Sequence, residues 1–236
     1  MGIRRHSLEF IHKNINELGS NLEILDMGNT YIKGQGCIDY INKNYSISND
    51  TTLDGFNRVN GNIISKEYFT ALGHTHTSID LNGKEGALTV DLRNPVEEMV
   101  PELINKFDVI MDIGTSEHVE YQYMNFKNLY DMLKVGGQFV HILPLEGTWM
   151  AHCKYKYNFD FFKLLAEANN YKILDLYVEK TSADNTDVCC SMKKTSDGNF
   201  MSESDFDNLP LVIEGGENFN DRVLYGYAYS GNKYGK

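Results

Sequence analysis

The stretch Phe107–Val119, FDVIMDIGTSEHV, constrains the fold of this chain more than any other. Val109, Ile110 and Met111 make an apolar run bounded by Asp108 and Asp112, too short for a helix of its own. Such a run suits a strand buried on both faces, as in a parallel sheet. It breaks at Gly114 into Thr115-Ser116-Glu117, residues that start helices well. A strand that ends in a small-residue turn and feeds a helix walls a ligand crevice, because open α/β sheets bind at the carboxyl ends of their strands. Gly114 lets a ligand approach the backbone closely. The same reading sets His118 one step into the following helix, facing that crevice.

The pattern on either side extends this unit. Leu8, Ile11, Ile15 and Leu18 fall at helical spacing before Gly19, and a short apolar strand follows, ending at Asp26-Met27-Gly28. Strands are expected at Thr77–Leu81, Ala87–Val90, Phe107–Asp112, Gln138–Leu143, Tyr171–Val178 and Asp187–Met192. Asn94-Pro95 opens a helix to about Asn105. Val119, Tyr123, Phe126, Leu129 and Leu133 share one helical face. Phe161, Leu164, Leu165 and Ala168 form another inward face. The segment Tyr45–Asn62, rich in Asn, Ser, Asp and Gly, reads as loop. Tyr171–Val178 and Asp187–Met192 pair antiparallel across a polar turn. The order of elements predicts an α/β fold: a doubly wound, mainly parallel seven-stranded sheet with an antiparallel edge pair made by its sixth and seventh strands. The domain spans residues 1–193, with an insertion at about 31–70, and residues 194–236 form a C-terminal extension packed on or beside it.

Composition narrows the function classes. A net charge of −11 over 236 residues weighs against a broad nucleic-acid surface, which needs clustered Lys and Arg. The four cysteines, Cys37, Cys153, Cys189 and Cys190, have neither metal-ligand spacing nor a disulfide pattern, which suits a reduced, cytoplasmic setting. No apolar stretch reaches the ~18 residues of a membrane span, and the amino terminus lacks the apolar core of a signal sequence.

Successive strand ends carry an acid or a glycine turn: Asp26-Met27-Gly28, Asp80, Asp91 and Asp112-Ile113-Gly114. A parallel sheet brings such ends to one edge. An acid after the second strand suits ribose hydroxyls, and one after the third suits an adenine amino group. Each acid taken singly also reads as a helix cap or a solvated loop residue.

These residues resemble the class I S-adenosylmethionine-dependent methyltransferases over roughly Asn21–Lys193. EILDMG, Glu23–Gly28, looks like the family's first motif, and Asp80 in SIDLNG falls where its ribose-binding acid sits. Asp91-Leu92 looks like the adenine-contacting pair. FDVIMDIGTSEHV is similar to the fourth motif of the branch that ends this strand in Glu-His-Val. LKVGGQFVHILP resembles the later motif in which a Gly-Gly turn leads into the fifth strand. Asn29-Thr30 stand where glycine commonly recurs, and the gap from Gly28 to Asp80 exceeds that of a simple βαβ unit. The resemblance implies methyl transfer from S-adenosylmethionine, leaving S-adenosylhomocysteine, to a small-molecule or glycan-like acceptor. It implies cofactor contacts from Asp26, Gly28, Asn29, Asp80, Leu81, Asp91, Leu92, Gly114, Thr115 and Ser116. Two other readings compete: a non-catalytic domain that keeps the fold for binding or assembly, and a nucleotide-dependent oxidoreductase. The latter needs G-x-G-x-x-G after the first strand, which Gly28-Asn29-Thr30 does not supply.

An oxygen or nitrogen acceptor needs a base near neutral pKa, which favours histidine. His118 and His152 are the candidates, with Glu117 to orient His118 or simply to cap the helix; a core or capping role for His118 is the alternative. Trp149, His152, Tyr155 and Tyr157 form an aromatic cluster suited to stacking on a ring or sugar, or to plain packing. His74-x-His76 puts two imidazoles at strand spacing, but no third ligand stands out, so no metal site is expected. Ser116 lacks the G-x-S-x-G elbow of a hydrolase.

Overall fold

The computed structural model describes residues 2–45 and 55–213. Part of the loop expected over Tyr45–Asn62, and most of the expected C-terminal extension, lie outside the described residues.

One sheet organises the chain. Its strands are β1 (Glu23–Met27), β2 (Thr75–Asp80), β3 (Leu88–Thr89), β4 (Phe107–Ile113), β5 (Leu133–Pro144), β6 (Tyr171–Lys180) and β7 (Thr186–Lys194). In space they run β6-β7-β5-β4-β1-β2-β3. β1 to β5 are parallel. β7 inserts between β5 and β6 and runs antiparallel to both, so the expected reversed pair is present and β6 forms the edge. The winding changes direction between β1 and β4, which lie side by side.

Alternation along the strands splits the apolar side chains between two cores. Val109, Met111, Ile113, Val140, Ile142 and Cys189 face one, where Leu8, Ile11 and Ile15 of α1 (Arg5–Asn16) pack. Tyr68 and Phe69 of α3 (Ser65–Ala71) complete it, α2 being Gln35–Asn44. Ile110, Phe139, Leu143 and Cys190 face the other, under α5 (Gln122–Met132) and α6 (Phe159–Ala168). Between α3 and α5 the only α-helix is the short α4 (Val96–Met99). Each core strand is thus buried on both sides, as the short apolar runs required. Phe200, and Phe206 of α7 (Glu203–Phe206), close the second core, so the start of the expected extension belongs to the body of the fold.

Four expectations change. The helix expected from Asn94 to Asn105 shrinks to α4 and a 3₁₀ turn, Pro101–Leu103, because Pro101 cannot continue the ladder. β5 begins at Leu133 rather than after the Gly-Gly pair. A bulge absorbs the glycines, moving the register from Phe107↔Leu133 to Val109↔Gln138. Gly137 allows it, since a Cβ there would lie 3.0 Å from the Asp108 carbonyl. In α6 the inward face carries Phe162 and Ala166 in place of Leu164 and Ala168, which are exposed. The 31–70 insertion is more ordered than expected: Tyr31–Ile32, Asn62–Ile64, Arg58–Val59 and the amino-terminal Gly2–Ile3 form a second, small sheet.

Candidate active site

The winding reverses at the carboxyl ends of β1 and β4, the position where open α/β sheets form their ligand crevice. Both strands leave it through left-handed backbone: Gly28 has φ +88°, Asn29 +47° and Gly114 +79°. Glycine is the residue that holds such a turn without a Cβ over the opening. The two ends are locked together, with Thr115 Oγ1 donating to the Met27 carbonyl at 2.7 Å. Neighbouring strands hold the turns from outside, as Gly28 N donates to Ile79 O at 2.8 Å and Gly114 N to Ile142 O at 3.1 Å.

The acids expected at the strand ends divide into two kinds. Asp26 is fully enclosed, and its Oδ2 accepts from Thr30 N at 2.9 Å, Thr30 Oγ1 at 2.8 Å and Ser65 Oγ at 2.6 Å. Burial opposes its charge, yet the nearby His76 and these donors hold its pKa below the ordinary carboxylate value. Its side chain therefore shapes the Gly28 turn from behind. Asp80 and Asp91 are partly exposed. Asp80 Oδ1 accepts from Asn82 N at 2.9 Å, a local turn that fixes the carboxylate at the end of β2. Asp91 is gripped by Arg93, whose Nη2 lies 2.7 Å from Oδ2, and this pairing lowers its pKa. Leu81 follows Asp80 half-buried, and Leu92 packs into the core. Asn29 is buried; its Nδ2 donates to Lys84 O at 3.0 Å and Glu85 Oε2 at 2.9 Å, while its Oδ1 has no protein partner.

On the β4 side, buried Asp112 is the hub. Its Oδ1 accepts from Ser116 N at 3.1 Å, and its Oδ2 takes Ser116 Oγ at 2.6 Å and lies 3.0 Å from His141 Nδ1. Ser116 Oγ in turn accepts from Asn125 Nδ2 at 2.8 Å, so Ser116 is wholly enclosed and structural. This network folds Ser116–His118 into a 3₁₀ turn ahead of α5, correcting the expectation that His118 lies within the helix itself. The turn projects Glu117 and His118 together, with His118 Nε2 3.7 Å from Glu117 Oε1. Burial, with Asp112 next to it, pushes the Glu117 carboxyl well up. Burial, reinforced by the charges of His152 and Lys156, brings the His118 imidazole down to about 3. Both shifts favour the uncharged forms.

The loop after β5 brings His152 to the same place. Its ring meets His118 at 5.2 Å and Trp149 at 4.8 Å between centroids. Trp149 and Ala151 both hold left-handed backbone, φ +55° and +56°, strain of about 1–2 kcal/mol per residue that clusters where side chains must be aimed. Trp149 Nε1 is anchored to Asp187 Oδ1 at 2.7 Å, and the buried Lys156 ammonium donates to the Trp149 carbonyl at 2.7 Å. The expected aromatic cluster is smaller than it looked. Tyr157 is fully buried against Phe126 and Phe161, its hydroxyl donating to Gln122 Oε1 at 2.8 Å. Tyr155 is also buried, tied to the Glu120 carbonyl at 2.7 Å. Trp149 and His152 remain as the rings beside the opening.

His74 and His76 do not converge as ligands. His74 Nδ1 accepts from Leu22 N at 3.2 Å, and His76 is buried against Phe69 with Nε2 3.6 Å from Asp26. Among the described residues, the side chains whose ligand atoms cluster are Glu117, His118 and His152, all within 4.8 Å of one another. The sequence flagged all three residues, but for proton transfer; that they meet follows from β5 lying beside β4.

Comparison with models of protein families finds no match, and comparison with curated proteins finds none. Comparison with solved structures finds likeness to a 1,6-didemethyltoxoflavin-N1-methyltransferase from Burkholderia thailandensis, bound to 1,6-didemethyltoxoflavin and S-adenosylhomocysteine. The identity is 14%, with 80% of this chain and 76% of that one covered and a TM-score of 0.48. A SAM-dependent methyltransferase from Archaeoglobus fulgidus is 13% identical, covering 80% and 94%, with a TM-score of 0.48. An rRNA methylase from Streptococcus thermophilus is 12% identical, covering 80% and 96%, with a TM-score of 0.42. The fold assignment rests on this chain's own strand order: a parallel β3-β2-β1-β4-β5 run closed by a reversed β7 inside an edge β6. That is the fold of the class I methyltransferases. No described helix is long and apolar enough to cross a membrane.

Proposed function

We propose that this protein is an S-adenosylmethionine-dependent methyltransferase acting on a small-molecule or glycan-like acceptor. The observation that carries the reading is the paired left-handed turns, Gly28-Asn29 and Gly114, at the switch point between β1 and β4. A test of fit comes from Asn29. It occupies a position where glycine is usual, yet its buried Oδ1 lacks a protein partner and suits an ammonium donor such as that of the methionine part. Asp80, with one oxygen fixed by Asn82, keeps the other for ribose hydroxyls, and Asp91 receives the adenine amino group beside Arg93.

S-adenosylmethionine, held by Asn29, Asp80 and Asp91, would supply an electrophilic methyl group to the acceptor's lone pair, leaving S-adenosylhomocysteine. The protein's part is to align the two and to leave the acceptor atom unprotonated. Gly28 and Gly114 keep the crevice floor open. Trp149 and His152 form the wall against which an acceptor stacks. Glu117, His118 and His152 manage its proton.

Calorimetric titration with S-adenosylmethionine and S-adenosylhomocysteine tests the proposal. Micromolar binding that is lost in a folded Asp80→Ala variant is the expected result. Folded protein that binds neither compound overturns it in favour of a non-catalytic binding domain.

A further inference from the structure

Two of the buried polar atoms near the crevice that lack a protein partner belong to consecutive residues. Glu117 Oε2 and His118 Nδ1 are buried without a hydrogen-bond partner, although buried polar side chains nearly always have one. Glu117 is 1% exposed, so water does not supply the missing partner in bulk. The two residues face His152, delivered by the strained loop Gly147–Cys153.

We infer that Glu117, His118 and His152 form a binding site for a first-row divalent transition ion of the Zn²⁺, Mn²⁺, Fe²⁺ or Co²⁺ class, with open coordination for a hydroxyl-bearing acceptor. Two imidazoles and one carboxylate suit these borderline ions, whereas Ca²⁺ and Mg²⁺ favour all-oxygen surroundings. Two ligands sharing an ion at ~2.1 Å lie ~3.0–3.4 Å apart. Glu117 Oε1 and His118 Nε2, the other atom of each group, stand near that spacing at 3.7 Å, and the 4.8 Å span of the trio closes by a small swing of His152 on its loop. His152 is half-buried, which leaves the ion a route in. The charges around the trio are mixed: Asp112 and Asp187 favour a cation, and Lys156 opposes it while held by Trp149 O and Cys153 Sγ.

Three protein ligands leave at least one position open, as in catalytic rather than structural sites. An acceptor hydroxyl bound there has its pKa lowered by the cation and loses its proton to water, presenting an oxygen nucleophile next to the crevice. Ion binding stands on the geometry alone; the acceptor's part rests on the proposed methyl transfer.

The test is titration of the full-length protein with Co²⁺, followed by its visible absorption bands and by calorimetry. One equivalent is expected to bind in the wild type. His152→Ala and the near-isosteric Glu117→Gln should each weaken it at least about tenfold, since loss of an outer-sphere partner alone costs ~10–100-fold. His152 sits on a loop, so its variant reports binding even if Glu117→Gln fails to fold. Wild-type protein that takes up no Co²⁺, or variants that bind it equally, overturns the site. Titrating the same samples with S-adenosylmethionine separates the two ideas: Co²⁺ uptake without cofactor binding removes the methyltransferase reading and leaves the ion site. Cofactor binding without Co²⁺ uptake does the reverse.

Discussion

Thr115 and Met27 join the two halves of the sheet at the one place where its winding reverses. The hydroxyl of Thr115, just past β4, donates to the carbonyl that ends β1 at 2.7 Å. That carbonyl is the last of β1 before the chain turns at Gly28, so the bond sets the width of the crevice between the two turns. Replacing the hydroxyl by a methyl in Thr115→Val keeps the volume and leaves the carbonyl short of a donor. A neutral hydrogen bond of this kind contributes about 0.5–1.5 kcal/mol. Urea unfolding should show a loss of that size, and S-adenosylmethionine affinity should fall by a comparable factor because the same bond shapes the pocket. Unchanged affinity alongside reduced stability would separate the bond from the site.

Gly114 offers a sharper separation of stability from function. Its φ of +79° is costly for any residue with a Cβ, so Gly114→Ala should destabilise the fold by about 1 kcal/mol. The added methyl would also stand on the floor of the crevice. Calorimetry should therefore find cofactor binding reduced well beyond the stability change. Equal binding by wild type and variant would remove Gly114 from the cofactor site.

The parts of this fold legible in the sequence are those where a single local rule decides the outcome. The run Val109–Ile113 could be buried on both faces only inside a sheet, and strand alternation by itself sends the adjacent Cys189 and Cys190 to opposite cores. What was hidden depended on distant neighbours. The Gly-Gly pair before Gln138 reads as a break, but pairing with β4 carries the strand through it as a bulge. Tyr155 and Tyr157 read equally as rings for stacking and as plain packing, because nothing local reveals that Phe126 and Phe161 cover Tyr157. Asp26 is a cofactor contact by the resemblance of EILDMG to the family's first motif, and the hydrogen bonds of its Oδ2 are not legible there. Its partners Thr30 and Ser65, the latter from the insertion, turn it inward. The ion-binding trio escaped for the same reason: Glu117-His118 and His152 belong to different strands' loops, and strand order alone makes them neighbours.

Stability should fall in mild acid, and His12 gives the effect a residue. His12 lies in α1, its Nε2 2.7 Å from the Tyr68 hydroxyl, with Tyr40, Tyr45, Phe69 and, electrostatically, His74 around it. Burial first, and His74 second, bring its pKa down from 6.5 to about 3. Between those values the unfolded chain binds a proton that the folded chain refuses. The stability contributed by neutral His12 is therefore complete above about pH 6.5 and is lost as pH falls toward 3. The slope is at most ~1.4 kcal/mol per pH unit. His12→Gln, which keeps a partner for Tyr68 but cannot titrate, should flatten the dependence of unfolding free energy on pH between 6 and 4 by about that amount. Identical slopes in the two proteins would assign the acid sensitivity elsewhere.

Lys194 ends β7 as a buried cation whose role is to finish a helix. It is 2% exposed, and its ammonium donates to the carbonyls of Tyr130 at 3.0 Å and Leu133 at 3.1 Å, where α5 runs into β5. The same ammonium lies 3.8 Å from the centre of the Tyr130 ring. Helix carboxyl ends carry unsatisfied carbonyls and partial negative charge, and a cation answers both. Burial lowers its pKa, but these acceptors compensate the loss of water. Lys194→Met fills the space with a flexible apolar chain and strands two carbonyls, which should destabilise the protein by roughly 2–4 kcal/mol. Cofactor affinity should stay near wild type at temperatures where the variant is folded, since Lys194 belongs to none of the groups that form the crevice. Urea unfolding combined with S-adenosylmethionine titration decides the point. A variant as stable as wild type would mean that water reaches those carbonyls and that the cation is not what closes α5.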